Sequence, residues 1–312
     1  VAPIFNVALP VFGLILAGYL SGRMGWLGSE SSTALNRFVY WMALPALLFV
    51  GMAKVPVHEV LNWPFLAAFG GGTTFAFALA FAVNRAAFPS RLAEQTLRSL
   101  STAFANVGYM GVPLYLAAFG PERTLPALIA TVFVSAIAVA GAVALIELDL
   151  ASGNGKSRIL RDIGLALLKN PLVVMPLAGL ALSAAGARLP LPIETFCSLL
   201  GAAAGPCALF AVGLFLVGKP LVGNWTELGW ISLMKLVVQP AATWVLAVPV
   251  LQLEPFWAGS AVLLSALPTG ALVFTLAQNY EVWPGGASTA ILVTTVLSVV
   301  TVSAILVLSG LT

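Results

Sequence analysis

Apolar residues run along the chain in blocks of about twenty, each long enough to cross a bilayer as a helix. Short clusters of Gly, Pro, Asn and charged residues separate them. The blocks predict ten spans, at residues 4–21, 33–52, 64–88, 96–119, 125–148, 171–185, 193–217, 228–251, 256–280 and 285–311. The longest polar stretch, residues 150–169, contains Ser152-Gly-Asn-Gly155 and reads as a flexible linker between two groups of five spans. The expected organisation is therefore residues 1–149, a linker over 150–169, and residues 170–312. The fold class is an all-α polytopic membrane protein.

Span 4 breaks the pattern. Asn106-Val-Gly-Tyr-Met-Gly-Val-Pro113 puts an amide, a phenol, two glycines and a proline near the middle of an apolar run. Pro removes a backbone N–H and clashes with the preceding turn, costing about 3 kcal/mol inside a helix. A break at that depth survives only where it is buried in protein or lines a cavity. Discontinuous helices of this kind mark substrate sites in transporters. Span 9 carries a second such point, Pro268-Thr-Gly270.

The two groups of spans echo each other. Pro10-Val-Phe-Gly13 matches Pro176-Leu-Ala-Gly179, and Pro45-Ala-Leu-Leu-Phe49 matches Pro206-Cys-Ala-Leu-Phe210. The breaks in spans 4 and 9 fall in the same order. Five spans per half is an odd number, so the halves enter the membrane from opposite sides, as an inverted 5+5 repeat. Spans 4 and 9 would then cross near the midplane. Each break supplies a helix N-terminus with unpaired N–H groups and partial positive charge, which favours an anion. The opposing C-terminal ends supply carbonyls suited to a cation.

Composition changes this picture little. Hydrophobic residues make up 60% of the chain and charged residues 8%, far below the roughly 25% charged residues of a soluble domain. The net charge of +3 comes without a Lys/Arg cluster interleaved with aromatics, so nucleic acid is not an expected partner. Basic residues collect on one side: Arg23, Arg37, Arg85, Arg91, Arg98, Lys156, Arg158, Arg161, Lys169 and Lys219, against Lys54, Arg123 and Arg188. The positive-inside rule puts the richer side in the cytoplasm and both termini outside it. Cys197 and Cys207 read as packing residues, not a metal site or disulfide.

The candidate substrate-binding residues are Asn106, Tyr109, Thr269, Gln239 and Lys235. Asn106 can donate amide N–H groups to a carboxylate, and Tyr109 and Thr269 offer hydroxyls beside the two breaks. Gln239 precedes Pro240 within span 8. Lys235 is the basic residue placed deepest inside a span, about 10 Å at 1.5 Å per residue, whereas Arg37, Arg85 and Arg98 lie near span ends. At that depth it either snorkels or balances substrate charge. Gly108, Gly111, Pro113, Pro268 and Gly270 are the expected break-makers. Arg37 reads as an anchor to lipid phosphate, and Glu147 and Asp149 as interfacial.

Several strings resemble the auxin efflux carrier family. They are Leu35-Asn-Arg-Phe-Val39 with Ala43-Leu-Pro45, Met110-Gly-Val-Pro-Leu114, Val212-Gly-Leu-Phe215, and Ala266-Leu-Pro-Thr-Gly270 with Phe274, Ala277, Tyr280, Val282, Pro284, Ser288 and Thr289. They span most of the chain. With its short linker, the sequence is similar to the bacterial malonate/malate-type permease branch. The resemblance implies a fold like that of the bile-acid symporters, with crossed broken helices 4 and 9, and transport of organic carboxylates with Asn106 at the crossover. It also implies a homodimer in the bacterial inner membrane. The charged pair of plant carriers near helix 3 has no counterpart here, since span 3 has no acidic residue.

The expected function is secondary transport of small organic carboxylate anions, malonate-, malate- or auxin-like, by alternating access. No cofactor is expected, and the coupling ion, H⁺ or Na⁺, is open. The rivals are an uncoupled facilitator or channel and a membrane sensor that binds without transporting. An intramembrane enzyme is not expected, since no His-Glu-x-x-His, paired aspartates or Ser/His pair lies within a span.

Overall fold

A computed structural model describes residues 8–150, 156–218, 221–222 and 224–308. Regular structure among them is helical. The principal helices are α1 (Leu9–Arg23), α2 (Ser29–Ala53), α3 (Trp63–Ala87), α4 (Leu92–Ala103), α5 (Val107–Phe119), α6 (Leu125–Leu150), α7 (Lys156–Leu168), α8 (Pro171–Ala184), α9 (Leu191–Leu216), α10 (Trp225–Val250), α11 (Pro255–Ser265), α12 (Leu272–Asn279) and α13 (Pro284–Leu308). Six of these, α2, α3, α6, α9, α10 and α13, belong to stretches long and apolar enough to cross a bilayer. Four more, α1, α5, α8 and α11, are shorter and apolar.

Two expectations change. The stretch read as a flexible linker is helical over Lys156–Leu168, because Ile159, Leu160, Ile163, Leu165 and Leu167 follow the Gly/Ser/Asn cluster at helix-compatible spacing. Residues 151–155 and Lys219 lie outside the described residues, as do the side chains of Lys156 and Arg158. Pro113 does not break its helix. It is the second residue of an α-helical segment that follows a widened π turn at Val107–Gly111. Pro45 follows the π turn Val39–Ala43 in the same way, and Pro240 follows Met234–Val238. An extra residue in the turn before each proline absorbs the missing N–H and the ring clash, so the helix continues.

Glycines set how closely the helices cross. A Cβ on Gly18 of α1 would run into the Phe210 carbonyl of α9, and one on Gly213 of α9 into the Ile15 carbonyl of α1. Gly179 of α8 lies against the Phe49 carbonyl of α2 in the same manner. Small residues let backbones touch where lipid supplies no hydrophobic drive for association.

Polar side chains hold α4 in place within this apolar packing. Asp149 Oδ2 accepts from the Ala93 N–H in its first turn at 3.1 Å, and Asn84 Nδ2 donates to Ser99 Oγ at 3.1 Å. Arg98 pairs with Glu94 at 2.8 Å and lies 2.9 Å from Glu227 of α10, with Trp283 5.9 Å from its guanidinium. Glu147 accepts from the Tyr280 hydroxyl at 2.9 Å. Glu147 and Asp149, expected to be merely interfacial, thus join the end of α6 to the start of α4 and the region just past α12.

Candidate functional site

The second interruption lies where the sequence places it, between α11 and α12, over Pro268-Thr269-Gly270. The first comes earlier than Gly108 and Pro113, at Phe104–Asn106 between α4 and α5. The two meet. Ala105 and Thr269 form an isolated antiparallel bridge. The Asn106 N–H donates to the Pro268 carbonyl at 2.8 Å, and the Gly270 N–H to the Phe104 carbonyl at 2.9 Å. Backbone that loses its helical partners in each chain segment finds them in the other, which resolves the cost of opening a helix away from water.

Gly270 is required by this contact. A Cβ there would lie 2.6 Å from the Phe104 ring. Gly270→Ala is expected to displace that ring into the adjoining cavity. It should lower the thermal midpoint by a few degrees, in keeping with an overpacking cost of about 1–3 kcal/mol, as read by a melt in detergent.

A cavity of about 940 Å³ reaches the bridge from one side. Its inner end is lined by Phe104, Ala105, Asn106, Gly108, Tyr109 and Ala271. The N–H groups of Gly108 and Tyr109 precede the first helical hydrogen bonds of α5, which the Asn106 carbonyl accepts from Met110 and Gly111. Those of Ala271 and Leu272 stand in the same position in α12, whose first bonds run from Val273 and Phe274 to Gly270 and Ala271. Two helix N-termini therefore face one cavity. Asn106 is 4% exposed. It lines the cavity, and its side chain makes no capping hydrogen bond to the turn it begins.

The outer end is lined by Ser29, Thr33, Arg37, Gln278 and Asn279. Arg37, read from sequence as a lipid anchor, stands at this mouth. Its position one residue after Asn36 in the Leu35–Val39 string was the available signal. Tyr109 spans the cavity, donating its hydroxyl to the Asn36 carbonyl of α2 at 3.2 Å. Tyr40, on the same wall, donates to Asn170 Oδ1 at 3.2 Å, and that oxygen also accepts from the Leu172 N–H at the start of α8.

Of the five predicted binding residues, the fold brings Asn106 and Tyr109 to the cavity and leaves three behind the bridge. Thr269 is fully buried and donates its hydroxyl to the Ser101 carbonyl at 2.6 Å. Gln239 and Lys235 are fully buried and bonded to each other. Lys235 does not snorkel, because its nitrogen points between helices and not along α10 to the interface. The reason these three miss the cavity is geometric. The bridge has two faces, and the helix C-termini lie on the one turned away from the cavity.

A family model described as membrane transport protein matches residues 3–306. The chain is 36% identical over 307 residues to a Rhizobium meliloti protein named "Putative malonate transporter", covering 98% of this chain and 95% of that one. It is 24% identical over 240 residues to the uncharacterized transporter YfdV of Escherichia coli K12, 75% of each. It is 27% identical over 229 residues to the lysosomal cholesterol signaling protein of Mus musculus, 69% of this chain and 26% of the mouse protein.

Proposed function

The chain belongs to the membrane transport protein family, and from that premise we propose that it is a secondary transporter of small organic carboxylate anions, malonate- or malate-like in size and charge, working by alternating access at the paired helix breaks. The observation that carries this reading is the cavity that ends on two helix N-termini and the Asn106 amide. Four N–H groups and a neutral amide donor in an apolar setting suit a carboxylate, and Arg37 at the mouth suits its approach. The Rhizobium meliloti relative, whose name refers to malonate, supports the same substrate class.

The inverted repeat over residues 1–149 and 170–312, joined by residues 150–169, belongs to this proposal. The reciprocal contacts of Gly18 with Phe210 and of Gly179 with Phe49 support it, since they join α1 to α9 and α8 to α2 at one common offset (179 − 18 = 210 − 49 = 161), which pairs Gly179 with Gly18 and corrects the sequence match of Gly179 with Gly13, where a Cβ meets nothing. Ten spans would follow, with the α4–α5 and α11–α12 pairs each counted as one broken helix. Under the positive-inside rule the mouth at Arg37 faces the cytoplasm and both termini face outward. The cavity then represents an inward-open state of a protein that functions as a homodimer in a bacterial inner membrane.

The test is uptake of labelled malonate into proteoliposomes with Na⁺ and pH gradients imposed separately. Saturable uptake, competed by unlabelled dicarboxylates, is expected. Flux that rises linearly with concentration would replace the transporter by a channel. Binding without flux for every carboxylate tried would make the protein a sensor.

A further inference from the structure

Behind the bridge, on the face turned away from the cavity, lies a second polar centre. Lys235 Nζ donates to the Ser265 carbonyl at 2.7 Å and to Gln239 Oε1 at 2.6 Å. Gln239 Nε2 donates to the Ala103 carbonyl at 2.9 Å and to Thr73 Oγ1 at 3.2 Å. Ser265 is the last residue of α11 and Ala103 the last of α4. One lysine–glutamine pair, a turn apart on α10, therefore caps the C-terminal ends of both interrupted helices.

Those ends carry partial negative charge, and far from water the charge is little screened. The groups that meet the pair from α3, α4 and α11 are the Thr73 hydroxyl and the Ala103 and Ser265 carbonyls, all neutral. Among the described residues Lys235 makes no ion pair with a carboxylate. A buried ammonium without a counter-ion is stable only where dipoles supply the compensation. Here the C-terminus of α11 does so directly, and that of α4 through the Gln239 amide. Broken-helix transporters use such carbonyls to hold a coupling cation, and in this chain a side-chain nitrogen takes the position.

We propose that Lys235 is a resident cation: its ammonium stands where a coupling metal ion would bind, ties α4 and α11 into one unit, and makes both folding and transport independent of Na⁺. It is a positioning residue and not a substrate ligand, since it lies off the cavity. The transport part of this inference rests on the function proposed above, and the stability part does not.

The experiment compares the purified protein with Lys235→Ala and Lys235→Met in detergent, in NaCl, ethylammonium chloride and choline chloride, by thermal melting. The wild-type midpoint is expected to be the same in all three salts. Lys235→Ala should melt lower and recover with Na⁺ or ethylammonium, which fit the vacated space, and not with choline, which is too large. Lys235→Met keeps the aliphatic stem without the charge. It should elute as the wild type does, gain nothing from Na⁺ because its stem fills the space, and lose labelled-malonate uptake by about tenfold or more, the equivalent of one charge-assisted hydrogen bond.

A wild-type midpoint that rises saturably with Na⁺ would overturn the proposal. So would Lys235→Met that transports at the wild-type rate, or Lys235→Ala that melts alike in every salt. If Lys235→Ala fails to fold in all three salts, Lys235→Met decides. If the wild type moves no malonate, the proposed function falls, and the melts still judge the resident cation.

Discussion

Asn106→Ala is expected to reduce malonate uptake into proteoliposomes by about ten- to a hundredfold. Asn106 is the one neutral amide side chain at the inner end of the cavity, beside the unbonded N–H groups of Gly108 and Tyr109. A hydrogen bond to a charged group contributes about 1.5–3 kcal/mol, and each 1.4 kcal/mol is a factor of ten. Folding should change little, because the side chain does not cap its own turn and the bridge is made by the Asn106 backbone, which alanine retains. Uptake and melting together check this. A variant that melts as the wild type does and transports tenfold less places Asn106 on the substrate. One that transports every tested anion normally removes it from the site. One that melts much lower shows that its role is to hold the broken helix.

Gly213→Ala is expected to have the largest effect on stability. Its new methyl would meet the Ile15 carbonyl, with the Tyr19 nitrogen also close, and both are backbone atoms of α1 that no rotamer change can move. Helices α1 and α9 must separate along their contact, which opens voids beside Val11 and Ile15. Overpacking of this kind costs about 1–3 kcal/mol or more. The melting midpoint should fall by several degrees, and the folded fraction on size-exclusion chromatography should drop. Gly141→Ala and Gly229→Ala are the controls, since a Cβ at either position meets nothing within 4 Å. Each also removes a helix glycine, and helix propensity alone favours alanine by about 1 kcal/mol. These two should therefore melt at or above the wild type. If Gly213→Ala did the same, the close crossing of α1 and α9 would be wrong.

Much of the architecture is legible in the sequence because its causes are local. A run of about twenty apolar residues has one economical solution in a bilayer, a helix that satisfies its own backbone. Gly/Pro clusters mark where that solution fails, and Pro268-Thr-Gly270 was found this way. The same reasoning misplaced the first interruption by several residues. A proline is only a local obstacle, and a widened turn before Pro113 removes it. Phe104-Ala105-Asn106 contains no strong helix breaker. It opens because Pro268 and Gly270 offer it hydrogen bonds from elsewhere in the chain, which no local rule can anticipate.

The sorting of polar residues shows the same division. Asn106, Tyr109, Thr269, Gln239 and Lys235 are alike as sequence features, each a polar group within or beside an apolar span. The sequence by itself determined that the chain is a multi-helix membrane protein of the transport family, that two of its spans are interrupted, and that these five groups lie near the interruptions. Only the tertiary structure decided which side of the paired breaks each one occupies. Asn106 and Tyr109 stand with the helix N-termini at the cavity, and Thr269, Gln239 and Lys235 bond to the carbonyls of Ser101, Ala103 and Ser265 at or near the helix C-termini. The physical reason is that a broken helix has a positive and a negative end only a few residues apart. Which end a distant side chain meets depends on how α3, α4, α10 and α11 pack, a relation between segments as many as 168 residues apart.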